Sequence, residues 1–220
     1  MLHDRLLTAG LLIATLVLGG CATSRSELRL TSPAETQAKV EKAGAPTAII
    51  RTVKDERTFE QAPKQPSTPS LGFEGAAQAT AAAKLRAIGR KRNTYGMALG
   101  DVFLQDGQTV ESVVRENLAS ALREAGYNVR SDAIGDSSVL VIDVHIRKFW
   151  AWINPGFWAI TVNADIATDL DLSTTPNSTV VSVHVDDARQ FVTDSVWLEV
   201  VDRALQEYRR EAARRLSGTK

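Results

Sequence analysis

Two stretches of the chain repeat apolar residues at helical spacing. Val110, Val113, Val114, Leu118, Ala121, Leu122 and Ala125 form one stripe between Thr109 and Gly126, which predicts an amphipathic helix capped by Thr109 and stopped by Gly126. Trp197, Val200, Val201, Ala204, Leu205, Tyr208 and Ala212 form a second stripe. Asp194 is the expected cap of this last helix. Arg209, Arg210, Arg214 and Arg215 fall towards its C-terminus, where cations suit the helix dipole.

Between the two helices the period changes to two. In 139–152 the even positions Leu140, Ile142, Val144 and Ile146 are apolar, opposite Asp143, His145 and Arg147. In 157–172 the even positions Trp158, Ile160, Val162, Ala164, Ile166, Leu170 and Leu172 alternate with Thr161, Asn163, Asp165, Asp169 and Asp171. From 179 to about 191 the apolar set is odd: Val181, Val183 and Val185. Each run reads as a strand with one buried face. Directly opposed residues of an antiparallel pair share a face. Even must then meet even across an odd-numbered loop, Asn154-Pro155-Gly156, closed by Ile153 and Phe157. That register sets His145 opposite Asp165 on the outer face. An even loop over 173–178 should in turn bring Leu170 to face Val181.

A further strand is expected over 47–59, where Ile49, Ile50 and Val53 precede the charged stretch from Lys54 to Arg57, and a short one over 127–130, followed by a turn over 132–137. The expected fold class is α+β: an antiparallel sheet built on a three-stranded meander, with two amphipathic helices packed on one face, in a single domain over 46–217. Inside it, residues 60–84 hold Pro63, Pro66, Pro69, Gly72, Gly75 and an alanine run. This predicts a long loop with a helical turn at its end, and so long an irregular segment is commonly functional or disordered.

The N-terminus reads as an address. A start carrying Arg5 leads into an apolar run from Leu6 to Leu18. That run is too short for a membrane span, which takes roughly 20 residues, and suits a signal-peptide core of roughly 7 to 15. Leu18-Gly19-Gly20-Cys21 resembles a bacterial lipobox. The resemblance implies a signal peptide over 1–20 and lipidation at Cys21. It also implies a membrane partner engaged through that anchor, since several acyl chains hold where one does not. Ala22 after the cysteine implies, by the sorting rule of Gram-negative lipoproteins, the cell outer membrane, facing the periplasm. Residues 21–45 are poor in large apolar side chains and read as a flexible tether.

Composition narrows the function. The 220 residues are 44% hydrophobic and 24% charged, with 26 basic and 26 acidic side chains, so the chain lacks the basic excess of a nucleic-acid binder. One cysteine permits no intrachain disulfide. There is no G-x-S-x-G, H-E-x-x-H, phosphate loop or dinucleotide fingerprint, and no cofactor or metal site is expected. His145 with Asp165 and Asp143 is the one constellation with catalytic potential, because a carboxylate raises and orients an imidazole. A solvated cross-strand ion pair is the alternative. His184, near Ser182 and Asp186, reads as solvated in the same way. Asp186 and Asp187 point to opposite faces of a strand and do not readily share an ion. The basic run Arg90-Lys91-Arg92 reads as a polar loop, or as a weak contact for anionic headgroups. Phe149, Trp150, Trp152, Phe157 and Trp158 crowd three of the four tryptophans around one hairpin. Trp150, Trp152 and Trp158 share the apolar parity, so core packing explains part of the cluster. A contact with a partner or bilayer, formed by Trp150, Trp152, Phe157 and Trp158, explains the rest.

The order of parts resembles a family. A lipobox cysteine, the strand ending Val53-Lys54-Asp55-Glu56-Arg57, the later Ile88-Gly89-Arg90-Lys91-Arg92-Asn93, the helix leading into Ala125-Gly126-Tyr127-Asn128-Val129, then strands and a terminal helix, are similar to the YajG-like lipoproteins over roughly 46–217. The resemblance implies a small, outer-membrane-anchored periplasmic lipoprotein with no catalytic residues to carry over. The expected function is a non-enzymatic binding or accessory module with an envelope protein as partner. Beside it stand an envelope hydrolase using His145 and Asp165, and a carrier of an apolar ligand held between sheet and helices.

Overall fold

A computed structural model of the chain describes residues 25–33, 42–72, 75–131 and 139–219. The signal peptide, residues 21–24 with Cys21, residues 34–41 of the tether and the turn expected over 132–137 lie outside the described residues. The strands are β1 (Ser26–Leu28), β2 (Thr47–Asp55), β3 (Ala87–Arg92), β4 (Ala98–Leu104), β5 (Asn128–Arg130), β6 (Leu140–Pro155), β7 (Ile160–Leu172) and β8 (Thr179–Arg189). The helices are α1 (Ala81–Arg86), α2 (Val110–Glu124) and α3 (Asp194–Leu216). The fold is α+β.

The long strand β6 is the axis of the sheet. Along one edge it pairs with β7 over nearly its full length, and β7 pairs with β8, both ladders antiparallel. Along its other edge the first half of β6 takes β2, in parallel, and the second half takes β3, also in parallel. The sheet therefore forks there: β2 continues to β5, and β3 continues through β4 to β1. An antiparallel sheet was expected. The structure instead has a mixed one, antiparallel along its longest ladders and parallel at both branches.

Helix α2 begins as its sequence predicts, with Thr109 and Ser112 forming a reciprocal capping box, and the chain leaves it through Gly126 at φ 91°. Helix α3 is capped differently from expectation. Thr193 occupies the N-cap position, while Asp194 is already helical and bonds outward to Ser26 and Lys91. The stripes of both helices join residues of β2, β6, β7 and β8 in one buried cluster that includes Leu118, Ile142, Ile166, Val181, Trp197 and Tyr208. The buried Tyr208 hydroxyl pairs with Thr168 Oγ1 at 3.0 Å.

A bulge at Arg147 controls what the hairpin does. Up to Ile146 the pairs are even with even, such as Val144 with Leu170; from Lys148, which faces Ala167, they are even with odd. One extra residue on one strand exchanges the faces of everything beyond it. Phe149 and Ala151 therefore enter the main core, and Trp150 and Trp152 turn to the opposite face, against the shared parity expected of them. The connection is 156–159, closed by Pro155 and Ile160, in place of the three-residue loop. A four-residue loop is compatible with buried faces on both strands because the bulge supplies the missing parity change. The pairing of β7 with β8 is also displaced: Leu170 faces Thr179, and Val181 faces Thr168. The displacement is two residues, so the inward set is unchanged.

On the second face Trp150, Trp152, Leu71, Ala87 and Phe103 form a separate small core, with Phe59, Ala79 and Ala83 packed against it. Its roof is the segment after β2. Trp150 donates to Pro66 O at 3.1 Å and meets Phe59 edge-on at 6.1 Å. Arg57 is wholly buried and spends all five N–H groups: two on Asp55 at 2.7 Å each, and one each on Ala87 O, Phe149 O and Lys84 O. The basic run expected in a polar loop is strand β3. Arg90 is buried and bonds Ser70 and Gly72 O, and Arg92 bonds Pro63 O and Ser70. These arginines hold the proline-containing roof to the sheet. Part of the expected tether is also ordered: β1 pairs with β4, and Leu28 and Leu30 are buried.

Candidate functional site

The expected partnership of His145 with Asp165 is not assembled. The turn at 156–159, later in the chain than expected, puts Trp150 opposite Asp165, and with the one-residue bulge it puts Asp169 opposite His145. His145 Nδ1 lies 2.7 Å from Glu56 Oε1, and its Nε2 lies 3.2 Å from Asp171 Oδ2. The hydrogen bond to Glu56 raises the imidazole above its ordinary pKa; burial opposes this, and the charges of Glu56 and Asp171 add to it. Asp165 belongs instead to His184 Nδ1 at 2.6 Å and to Lys148 Nζ at 2.5 Å. Lys148 also sits 5.4 Å over the Trp152 ring. Asp143 is held well below the usual carboxylate range by hydrogen bonds from Arg51 and Thr52. The outer face of β6 and β7 is thus a lattice of paired charges.

Among the described residues, no group of three or more His, Cys, Asp or Glu is placed to hold a metal ion, and no helix is long and apolar enough to cross a membrane. An open cleft of about 720 Å³ runs between the roof segment, α1 and β4, lined in part by Arg25, Leu71, Thr80, Arg86, Asp101 and Phe103. Its walls mix charge with apolar surface. The cleft lies away from the space between sheet and helices where a carried ligand was expected.

The tryptophan cluster separates into two populations. Trp150 and Trp152 are 1% and 6% exposed, as packing residues; Phe157 and Trp158 are 90% and 86% exposed, edge-on to each other at 4.8 Å. The hairpin tip is therefore surface, and the contact set expected there reduces to its last two members. Tyr95, Met97 and Phe191 are likewise exposed. The sequence reading missed these three because Tyr95 and Met97, in one loop, and Phe191, beyond β8, are all remote in the chain from the hairpin tip.

The pairings bring them to one end of the sheet. β3 runs parallel to β6, so the β3–β4 loop 93–97 and the β6–β7 loop 156–159 leave the sheet at the same end. The last residue of β8, Arg189, pairs with Ile160, so the β8–α3 connection carrying Phe191 emerges there too. Asn93 shapes the first loop: its side-chain oxygen accepts from Tyr95 N and Met97 N, both at 2.9 Å, and Gly96 takes φ 80°. This turn saturates the backbone locally and leaves the Tyr95 and Met97 side chains in solvent. Although the chain is 24% charged, residues 93–97, 156–159 and 190–193 contain no Asp, Glu, Lys or Arg. Scattered exposed apolar residues are ordinary; a collected set without charge marks a contact surface.

No protein-family model matches the chain, and no curated protein matches it. A solved structure described as "Crystal structure of uncharacterized protein" aligns with 90% of this chain and 97% of its own, at 12% identity and a TM-score of 0.40. A likeness that loose carries no argument about function.

Proposed function

We propose that the protein is a lipid-anchored, non-enzymatic module of the outer membrane, facing the periplasm, that contacts another envelope component through the aromatic rim of Tyr95, Met97, Phe157, Trp158 and Phe191. Its working domain is the meander β6–β7–β8 with α2 and α3 packed on one face, and the rim is the loop end of that domain. The observation that carries the reading is the gathering of exposed, uncharged aromatic loops at one end of the sheet. The lipobox-like Leu18-Gly19-Gly20-Cys21 supplies the anchor. Acyl chains on Cys21 supply membrane residence, and the rim supplies contact.

Mass spectrometry of the native protein, with membrane fractionation, tests the anchor. The expected product begins at Cys21, carries diacylglycerol and acyl mass, and sediments with outer membranes. A chain beginning at Met1, or one without the lipid mass, overturns the reading.

A further inference from the structure

Strand β1 lies on the outer edge of β4 and runs parallel to it, with Ser26 opposite Val102 and Leu28 opposite Leu104. The chain therefore enters β1 from the end of the sheet at which β4 begins, which is the end of the 93–97 loop. Cys21 precedes Ser26 by five residues, the same number by which Met97 precedes Val102. Five residues reach at most about 17 Å. An anchored sulfur at position 21 is thus leashed to the rim end of the domain, within reach of the level of Met97.

From this geometry, and resting on the anchored reading above, we infer that the occupant of the rim is the lipid bilayer interface that holds the acyl chains, with Trp158, Phe157, Tyr95, Met97 and Phe191 entering its headgroup boundary. The rim consists of separate loop tips, and the open pocket that reaches Tyr95 and Gly96 has the cations Lys64, Arg90 and Arg92 in its wall, where an apolar peptide or helix face would not seat. It carries Trp and Tyr, whose rings are apolar with a polar edge and which favour the membrane–water boundary. Its loops bring no charge that would have to be desolvated. A short leash also makes entry intramolecular, so that a weak individual affinity suffices. Two attachments, the acyl chains and the rim, then fix which way the domain stands: the loop end faces the membrane, and the opposite end, with the 173–178 connection, faces the periplasm.

The test uses the full lipidated protein in vesicles of phosphatidylethanolamine and phosphatidylglycerol, with or without bromine on the acyl chains. Of the four tryptophans, Trp150, Trp152 and Trp197 are buried and Trp158 is exposed, so bromine quenching reports on Trp158. The wild type should lose the share of emission that this one tryptophan supplies, and Trp158→Phe should abolish that loss, with a near-UV spectrum showing the fold intact. Phe157→Ser with Tyr95→Ser should reduce the quenching while Trp158 remains. With lipid mass on Cys21 verified, an unquenched Trp158 overturns the inference and leaves the anchored reading standing. A Trp158 shielded from aqueous iodide in native membranes, yet unquenched in brominated vesicles, also overturns it and assigns the rim to a protein. Absence of lipid on Cys21 removes the anchored reading itself.

Discussion

Replacing Arg57 by Ala should be among the most damaging single changes outside the main core. The Arg57 side chain is wholly inaccessible and its partner Asp55 is 6% exposed. Truncation leaves that carboxylate buried without its cation, and also strips the added guanidinium donor from the carbonyl oxygens of Lys84, Ala87 and Phe149. Breaking a buried ion pair by removing one partner costs about 3–5 kcal/mol. Against a total stability of about 5–15 kcal/mol, this is a large share. At about 2–4 °C per kcal/mol for a chain of this size, the melting temperature should fall by about 6–20 °C. Arg57→Lys should recover little, since one ammonium cannot reproduce a planar fork reaching five acceptor oxygens. Arg57→Met combined with Asp55→Leu should recover much of the loss, because it removes both charges together. Urea unfolding followed by near-UV circular dichroism measures all three, and the Trp150 environment reports the second core directly. A loss below about 1 kcal/mol for Arg57→Ala, well under the buried-pair range, would refute the assignment of Arg57 as the post that joins β2, α1, β3 and the bulged part of β6.

Trp150→Ala should cost about 3–5 kcal/mol, whereas Trp158→Ala should change stability by about 0.5 kcal/mol or less, since the first ring is packed and the second is in solvent; equal effects in urea would contradict the division of the tryptophans. Gly89→Ala places a Cβ 2.7 Å from Ala151 O, where β3 lies against β6. Strand separation should cost about 1–3 kcal/mol, and unchanged thermal stability would show that the contact yields freely. His145 has a folded pKa raised above about 6.5 in the unfolded chain, so its stabilisation is complete at low pH and is lost as pH rises through the folded value. The stability advantage of wild type over His145→Gln should therefore be larger at pH 5.5 than at pH 9, and a pH-independent difference would contradict the pairing with Glu56 and Asp171.

The helices were legible because each is a local pattern: a stripe at 3.6-residue spacing, a Thr109 cap and a Gly126 exit act within a few residues of one another. The inward faces of β7 and β8 were legible for the same reason, and a two-residue error in their register left those faces unchanged. The bulge at Arg147 was not, because an apolar run from Phe149 to Trp152 looks the same whether its even or its odd members face the helices. Arg90 and Arg92 were misread as part of a polar loop because a guanidinium's place depends on acceptors remote in the chain, here Gly72 O for Arg90 and Pro63 O, 29 residues away, for Arg92. Strand β1 was hidden in a polar stretch, since three residues are too few to show a period.

For the candidate site, the sequence by itself determined the lipobox-like cysteine, the hairpin tip with Phe157 and Trp158, and the absence of familiar catalytic motifs, all of which are properties of neighbouring residues. The tertiary structure decided that Trp150 and Trp152 are core, that His145 and Asp165 serve different partners, and that Tyr95, Met97 and Phe191 join the hairpin tip. It also decided that β1 is entered from that same end. The physical reason is strand direction: parallel pairing of β3 with β6 and of β1 with β4 is set by backbone hydrogen bonds between distant segments, and side-chain pattern within one segment carries no record of which way its neighbour runs.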